Sequence, residues 1–104
     1  MAKHIKAKII KKNGLIYGFD IKDHGDPIVC SGVSVLTINT INSIEALLGI
    51  EPDANIDENG EICFTVKEYK NDKVQLLLSS LELGLKSIEE EYSTDIKVSE
   101  EVQR

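Results

Sequence analysis

The sequence predicts an α+β fold in one domain, residues 1–104, with two helices packed on one face of a mixed β-sheet. A length of 104 residues suits a single compact domain. Apolar residues alternate with a period of two in several short segments and recur at helical spacing in two longer ones. The segments follow the order β-β-α-β-β-α-β. Placing both helices on one face of the sheet is the simplest arrangement that buries both apolar helix stripes.

The first two strands are predicted to form an antiparallel hairpin. Apolar and lysine residues alternate over residues 5–10, and a second alternating segment covers residues 15–22. Between them, Asn13 and Gly14 form a hairpin turn, because both tolerate positive φ. A loop then runs from Asp23 to Pro27, and Pro27 suits the first turn of a helix.

The first helix is predicted to begin after this loop and to end at Gly49. Its apolar stripe comprises Val29, Val33, Leu36, Ile41, Ile44, Leu47 and Leu48. Several β-branched residues lower its helix propensity, so it needs support from packing.

The second half repeats the order of a hairpin followed by a helix. A short strand at residues 54–57 and another at residues 62–66 flank the turn Asn59–Gly60, and Asn71 or Asp72 is the expected helix cap. The stripe of this helix comprises Val74, Leu77, Leu78, Leu81, Leu85, Ile88 and Tyr92, whereas Leu76 and Leu83 lie off it. A short last strand at Ile96 and Val98 precedes a polar tail from about residue 99.

Composition and charge exclude several classes of function. A net charge of −6 argues against direct nucleic-acid binding, although a basic protein remains a suitable partner. No apolar run is longer than that of Leu76–Leu78, which is too short to span a membrane, so we expect no membrane partner. Residues 1–6 are basic but lack the apolar core of a signal peptide. Two cysteines without such a signal indicate a cytoplasmic protein with free thiols.

The chemistry is concentrated in residues 23–34, where the strand pattern gives way to the helix pattern. His24 and Cys30 are separated there only by a short loop. A thiol in the first turn of a helix meets unpaired backbone N–H groups and the positive end of the helix dipole, which favour the thiolate. A neighbouring imidazole serves as general base and acid. The pattern therefore predicts a cysteine-nucleophile site.

Three further residues are candidate accessory or substrate-binding residues. Asp26, or less directly Asp23, is available to orient the imidazole. Ser34 lies one turn after Cys30 on the same helix face, and the small residues Ser31 and Gly32 allow another chain to approach the backbone.

Simpler interpretations remain open at this point. Cys30 is alternatively a packing cysteine beside an exposed loop histidine, and Ser34 a helix-packing serine. A metal site is the weaker interpretation, because His24, Asp26 and Cys30 offer at most three ligands, and we expect no metal and no cofactor. Cys63 is interpreted as an ordinary strand cysteine.

The segment from His24 to Ser34 resembles the signature of the ribosomal-processing cysteine protease family, Prp. That signature is a Gly-His-Ala loop that leads into an Asp-Ile-Val-Cys-Ala-x-x-Ser helix start, and the similarity extends along nearly the whole chain. The resemblance implies that His24 and Cys30 are the catalytic dyad and that Ser34 is the accessory serine. Asp23 stands in place of the usual glycine, and Gly25 in place of the alanine.

The resemblance also implies a function: a small cytoplasmic homodimer that removes the N-terminal extension of a bacterial large-subunit ribosomal protein, number twenty-seven. We expect an acyl-enzyme mechanism in which backbone N–H groups near Cys30 and Ser31 stabilise the oxyanion. The alternative is a non-catalytic dimeric module that binds a protein during ribosome assembly.

Overall fold

The computed structural model describes residues 4–103; residues 1–3, the first half of the basic start, and Arg104, at the end of the predicted tail, lie outside this range. The elements are β1 (Ile5–Lys12), β2 (Leu15–Lys22), α1 (Pro27–Leu48), β3 (Asp53–Ile56), β4 (Ile62–Thr65), α2 (Asp72–Glu91) and β5 (Ile96–Gln103). The strands form one sheet in the order β3-β4-β2-β1-β5. The pair β1–β5 is parallel and the other pairs are antiparallel, which confirms the predicted mixed sheet and element order.

The first hairpin forms as predicted, with one irregularity. Asn13 and Gly14 have φ values of 55° and 77°, as the turn requires. The register of β1 against β2 shifts between Ile10 and Lys11. Ile10 and Ile16 are both buried, although strict alternation does not predict this. The reason is the irregularity beside them, because a bulge changes which face of the sheet the neighbouring residues occupy.

Helix α1 has the predicted ends but a partly different buried face. Gly49 terminates it in the left-handed conformation, with φ of 66°. Leu47 is 75% exposed, so its place in the predicted stripe is wrong. Thr37 and Thr40 are buried instead, because their hydroxyls donate to carbonyls of the preceding turn at 2.8 Å and need no other partner.

Among residues 4–103, α1 is the one helix whose length and composition would suit a membrane span, with a mean hydropathy of 1.3 over its most apolar window. A core helix of a globular protein meets the same criterion. The residues that α1 buries in the interior here are Val29, Val33, Thr37, Thr40, Ile41 and Ile44.

Helix α2 follows the predicted pattern closely. Asn71 caps it by accepting hydrogen bonds from the N–H groups of Lys73 and Val74. Its buried residues are Val74, Leu78, Leu81 and Leu85, and the off-stripe Leu76 and Leu83 are exposed as predicted. Tyr92, predicted to end the stripe, is 44% exposed, because the helix ends at Glu91.

The helices and sheet enclose one apolar core. Phe19 and Phe64 stack at its centre, with ring centroids 4.7 Å apart, and both are fully buried. At one end of the sheet, β2 runs into the loop that starts α1. Ile5 at the start of β1 pairs with Ile96, and Ile21 at the end of β2 pairs with Ile62. This end of the sheet carries the candidate site. Strand β5 reaches Gln103, so it is longer than the short strand predicted.

Candidate active site

A cavity of about 160 Å³ lies where the end of β2 meets the start of α1. Its lining residues are Ile5, Ile21, Asp23, His24, Cys30, Val33, Ser34 and Gly60. Cys30 is half-buried, and His24 and Ser34 are exposed. The fold thus brings three of the predicted site residues, His24, Cys30 and Ser34, around one concave surface. The sulfur is neither sealed in the core nor separated from the imidazole by the body of the protein.

The Cys30 sulfur is held by the backbone of one loop residue. The N–H of Gly25 lies 3.4 Å from Sγ, in position to donate to the sulfur. The carbonyl oxygen of Gly25 is 3.8 Å from Sγ and in position to accept from the thiol. Gly25 therefore offers the sulfur both a hydrogen-bond donor, its N–H, and an acceptor, its carbonyl oxygen.

Gly25 also packs against the turn between α2 and β5. A Cβ added to Gly25 would lie 2.7 Å from the carbonyl oxygen of Asp95. That oxygen accepts the N–H of Ile5 at 2.7 Å, so it is itself fixed. A residue with a side chain does not fit at position 25 in this arrangement.

Asp23, which precedes His24, has a φ of 64°. Glycine adopts this conformation freely, whereas aspartate does so at some cost in free energy. The carboxylate of Asp23 forms an ion pair with Lys6 at 3.3 Å. Its backbone N–H donates to the Glu61 carboxylate at 3.0 Å.

Asp26 and Ser31 are not among the residues that line the cavity. Asp26 is the N-cap of α1, and its carboxylate accepts the N–H of Ile28 at 2.8 Å. The Ser31 hydroxyl donates to the carbonyl of Pro27 at 3.0 Å. Both side chains support the start of the helix that carries Cys30, and their predicted accessory roles stay predictions.

The predicted oxyanion donors, backbone N–H groups near Cys30 and Ser31, stay a prediction. The N–H of Cys30 donates to the carbonyl of Asp26 at 2.9 Å, because Cys30 is the fourth residue of α1 and its N–H closes the first helical hydrogen bond. The backbone donor that faces the sulfur is the N–H of Gly25.

The second cysteine has a different environment. Cys63 is exposed on the strand face opposite its buried neighbours Ile62 and Phe64. A hydrogen bond with Asp20 raises the pKa of the Cys63 thiol, and a partial loss of hydration raises that pKa further. Among the described residues, no group of three or more His, Cys, Asp or Glu side chains is arranged to hold a metal ion.

Sequence reasoning missed the residues that approach the loop from elsewhere in the chain: Lys6, Glu61 and Asp95. Each of them is brought next to the loop by the folding of distant parts of the chain. The Asn59–Gly60 turn was recognisable, but nothing local indicates that this turn lies beside His24.

Comparisons with known proteins find relatives of this chain. A family model described as cysteine protease Prp matches residues 4–97. The ribosomal processing cysteine protease Prp of Staphylococcus aureus is 35% identical over 81 residues, which cover 77% of this chain and 76% of that protein.

Two crystal structures of the essential Staphylococcus aureus Prp share the fold. One holds a covalently linked product peptide, with a TM-score of 0.88 and 30% identity. The other holds a substrate peptide, with a TM-score of 0.86 and 28% identity. Each similarity covers 93% of this chain and 99% of the other.

Proposed function

Because the chain belongs to the cysteine protease Prp family, we propose that it removes the N-terminal extension of a bacterial large-subunit ribosomal protein, number twenty-seven. Cys30 is the nucleophile and His24 the general base. One observation carries the proposal: a half-buried cysteine at the start of α1 and a loop histidine line the same small cavity. The relatives named as ribosomal processing proteases support the choice of substrate.

The reaction proceeds through a thioester. His24 accepts the proton of the Cys30 thiol, and the sulfur attacks the scissile carbonyl carbon. The tetrahedral intermediate collapses when His24 gives that proton to the leaving amine and the C–N bond breaks. A water molecule, deprotonated by His24, then attacks the thioester, and the acid product and the thiol are released. The product peptide covalently linked to the Staphylococcus aureus relative supports a covalent mechanism.

The cavity favours an apolar substrate side chain beside the scissile bond. Ile5, Ile21 and Val33 supply aliphatic walls, and Gly60 contributes no side chain. A volume of about 160 Å³ suits one side chain rather than a folded element. An extended peptide that inserts one apolar side chain satisfies these limits, and the relative bound to a substrate peptide supports a peptide as the substrate.

We further propose that the protein acts as a cytoplasmic homodimer. Helix α1 exposes aliphatic side chains on the face opposite the core: Ile28 is 77% exposed, Val35 68% and Ile38 38%. A second copy would remove this surface from water. Both cysteines are free thiols, as a reducing compartment permits. Sedimentation analysis should give a dimer, and Val35→Lys should shift it towards a monomer; a wild-type monomer would refute this assembly.

The substrate is tested with a synthetic peptide that copies the N-terminal extension of the ribosomal protein. Mass spectrometry should detect one cut that leaves the mature N-terminus. The matched control peptide carries aspartate in place of the apolar residue before the cut, and it should stay intact. If the active protein cleaves both peptides equally, or neither, the substrate assignment is wrong.

A further inference from the structure

Asp23 is fixed from two directions by residues of other strands and turns. Its carboxylate contacts Lys6 of β1 at 3.3 Å, and its N–H donates to the Glu61 carboxylate, just before β4, at 3.0 Å. Lys6 and Glu61 reach Asp23 from opposite sides of β2, because β1 and β4 are the two neighbours of β2 in the sheet. We call this three-residue arrangement the Asp23 clamp.

The clamp bears directly on His24. On one side of the histidine, Asp23 is fixed by the clamp at φ of 64°. On the other side, Gly25 is fixed by its contacts with the Cys30 sulfur and the Asp95 carbonyl. The backbone of His24 is thus anchored at both flanking residues, whereas its side chain is exposed. The contacts that fix the backbone of Asp23 therefore also fix the point from which the His24 side chain extends towards the cavity.

We propose that Glu61 is a positioning residue, which places His24 relative to Cys30 through the N–H of Asp23. The inference rests on the proposed roles of His24 and Cys30. Glu61 is suited to this task because it is half-buried and belongs to the segment whose neighbour, Gly60, lines the cavity. The Glu61 carboxylate also accepts a hydrogen bond from the backbone N–H of Asp23, the residue with the positive φ.

The kinetic test compares Glu61→Ala with Glu61→Gln. The alanine variant loses the acceptor, so kcat should fall about tenfold to a hundredfold with little change in KM, as expected when a catalytic group is misplaced. The glutamine variant keeps an acceptor oxygen and should recover most of kcat. Glu58→Ala, at an exposed carboxylate of the same turn, is the matched control and should behave as wild type. Equal losses in Glu61→Ala and Glu61→Gln, no loss in either, or a change in KM alone would overturn the proposal.

A second measurement separates this proposal from the protease assignment. Amide exchange at Asp23 and the NMR signals of the His24 ring report the clamp whether or not the peptide is cut. Glu61→Ala should speed exchange at Asp23 and shift the His24 signals, and Glu61→Gln should restore both. If these signals respond but wild-type protein cuts no peptide, the proposed function fails and the clamp stands. If they stay unchanged in Glu61→Ala, the clamp does not position His24.

Discussion

The backbone N–H of Gly25 points at the sulfur of Cys30 across 3.4 Å. This contact joins the loop that carries the histidine to the helix that carries the cysteine. It depends on the missing side chain at position 25, because the Asp95 carbonyl occupies the space a Cβ would need. The position of the loop against the sulfur is therefore limited by a third element, the turn between α2 and β5.

Gly25→Ala should displace the loop from the sulfur. The added Cβ would lie 2.7 Å from a carbonyl oxygen that Ile5 holds in place, so the loop rather than the turn must move. We expect a loss of about 1–3 kcal/mol in the free energy of unfolding, as for other overpacked sites. The rate of peptide cleavage should fall by a larger fraction of its wild-type value than the free energy of unfolding does. Urea denaturation and peptide cleavage measure the two effects.

Gly32→Ala is the matched control for that change. A Cβ at Gly32 would lie 3.7 Å from Cδ1 of Ile88, an ordinary contact. Because alanine favours the helix, stability should rise by up to about 1 kcal/mol. Equal destabilisation by the two substitutions would show that the Asp95 carbonyl is not the obstacle at position 25.

Asp26 should contribute to stability through its cap on α1. Asp26→Ala removes the acceptor of the Ile28 N–H and should cost about 1 kcal/mol of unfolding free energy. Asp26→Asn keeps a capping oxygen and should retain both stability and cleavage. If Asn at this position preserves stability but abolishes cleavage, Asp26 instead orients the imidazole through its charge, as the sequence first suggested.

Local patterns were sufficient for the elements and for the prediction that His24 lies on a loop and Cys30 in the first turn of the following helix. Three features depend only on adjacent residues and were predictable from sequence: the turn at Asn13–Gly14, the helix cap at Asn71 and the helix end at Gly49. The buried Thr37 was not, because its burial depends on a hydroxyl that finds its partner within the helix. The order of the strands and the approach of Glu61 and Asp95 to the loop were not predictable either, since both arise from tertiary pairing.

The two cysteines should differ in reactivity towards iodoacetamide. A hydrogen bond with Asp20 raises the pKa of the Cys63 thiol, which keeps it in its less reactive protonated form at neutral pH. Cys30 should therefore be alkylated first, and Asp20→Asn should speed the reaction of Cys63. Peptide mapping by mass spectrometry gives both rates. Slow alkylation of Cys30 would favour the alternative that it is only a packing residue.

The ion pairs of Lys11 should make stability depend on pH. A hydrogen bond with Glu100 raises the pKa of Lys11, and the same bond lowers the pKa of Glu100. The ion pair stabilises the fold at pH values between the pKa of Glu100 and the pKa of Lys11. That contribution is lost as pH falls through the lowered pKa of Glu100 and as pH rises through the raised pKa of Lys11.

Lys11→Met should consequently lower the midpoint of urea denaturation near neutral pH, and the difference from wild type should shrink in acid. Lys70→Met, at an exposed position before α2, is the control and should leave the pH profile unchanged. A pH-independent difference for Lys11→Met would assign its effect to lost packing rather than to charge.

The most direct test of the central claim compares Cys30→Ala with Cys63→Ala in cleavage of the same extension peptide. Both variants should fold with the circular dichroism spectrum of the wild type. Cys30→Ala should leave the peptide intact, whereas Cys63→Ala should cut it at the wild-type rate. Cleavage by Cys30→Ala at that rate would contradict the account, because another group would then have to attack the peptide bond.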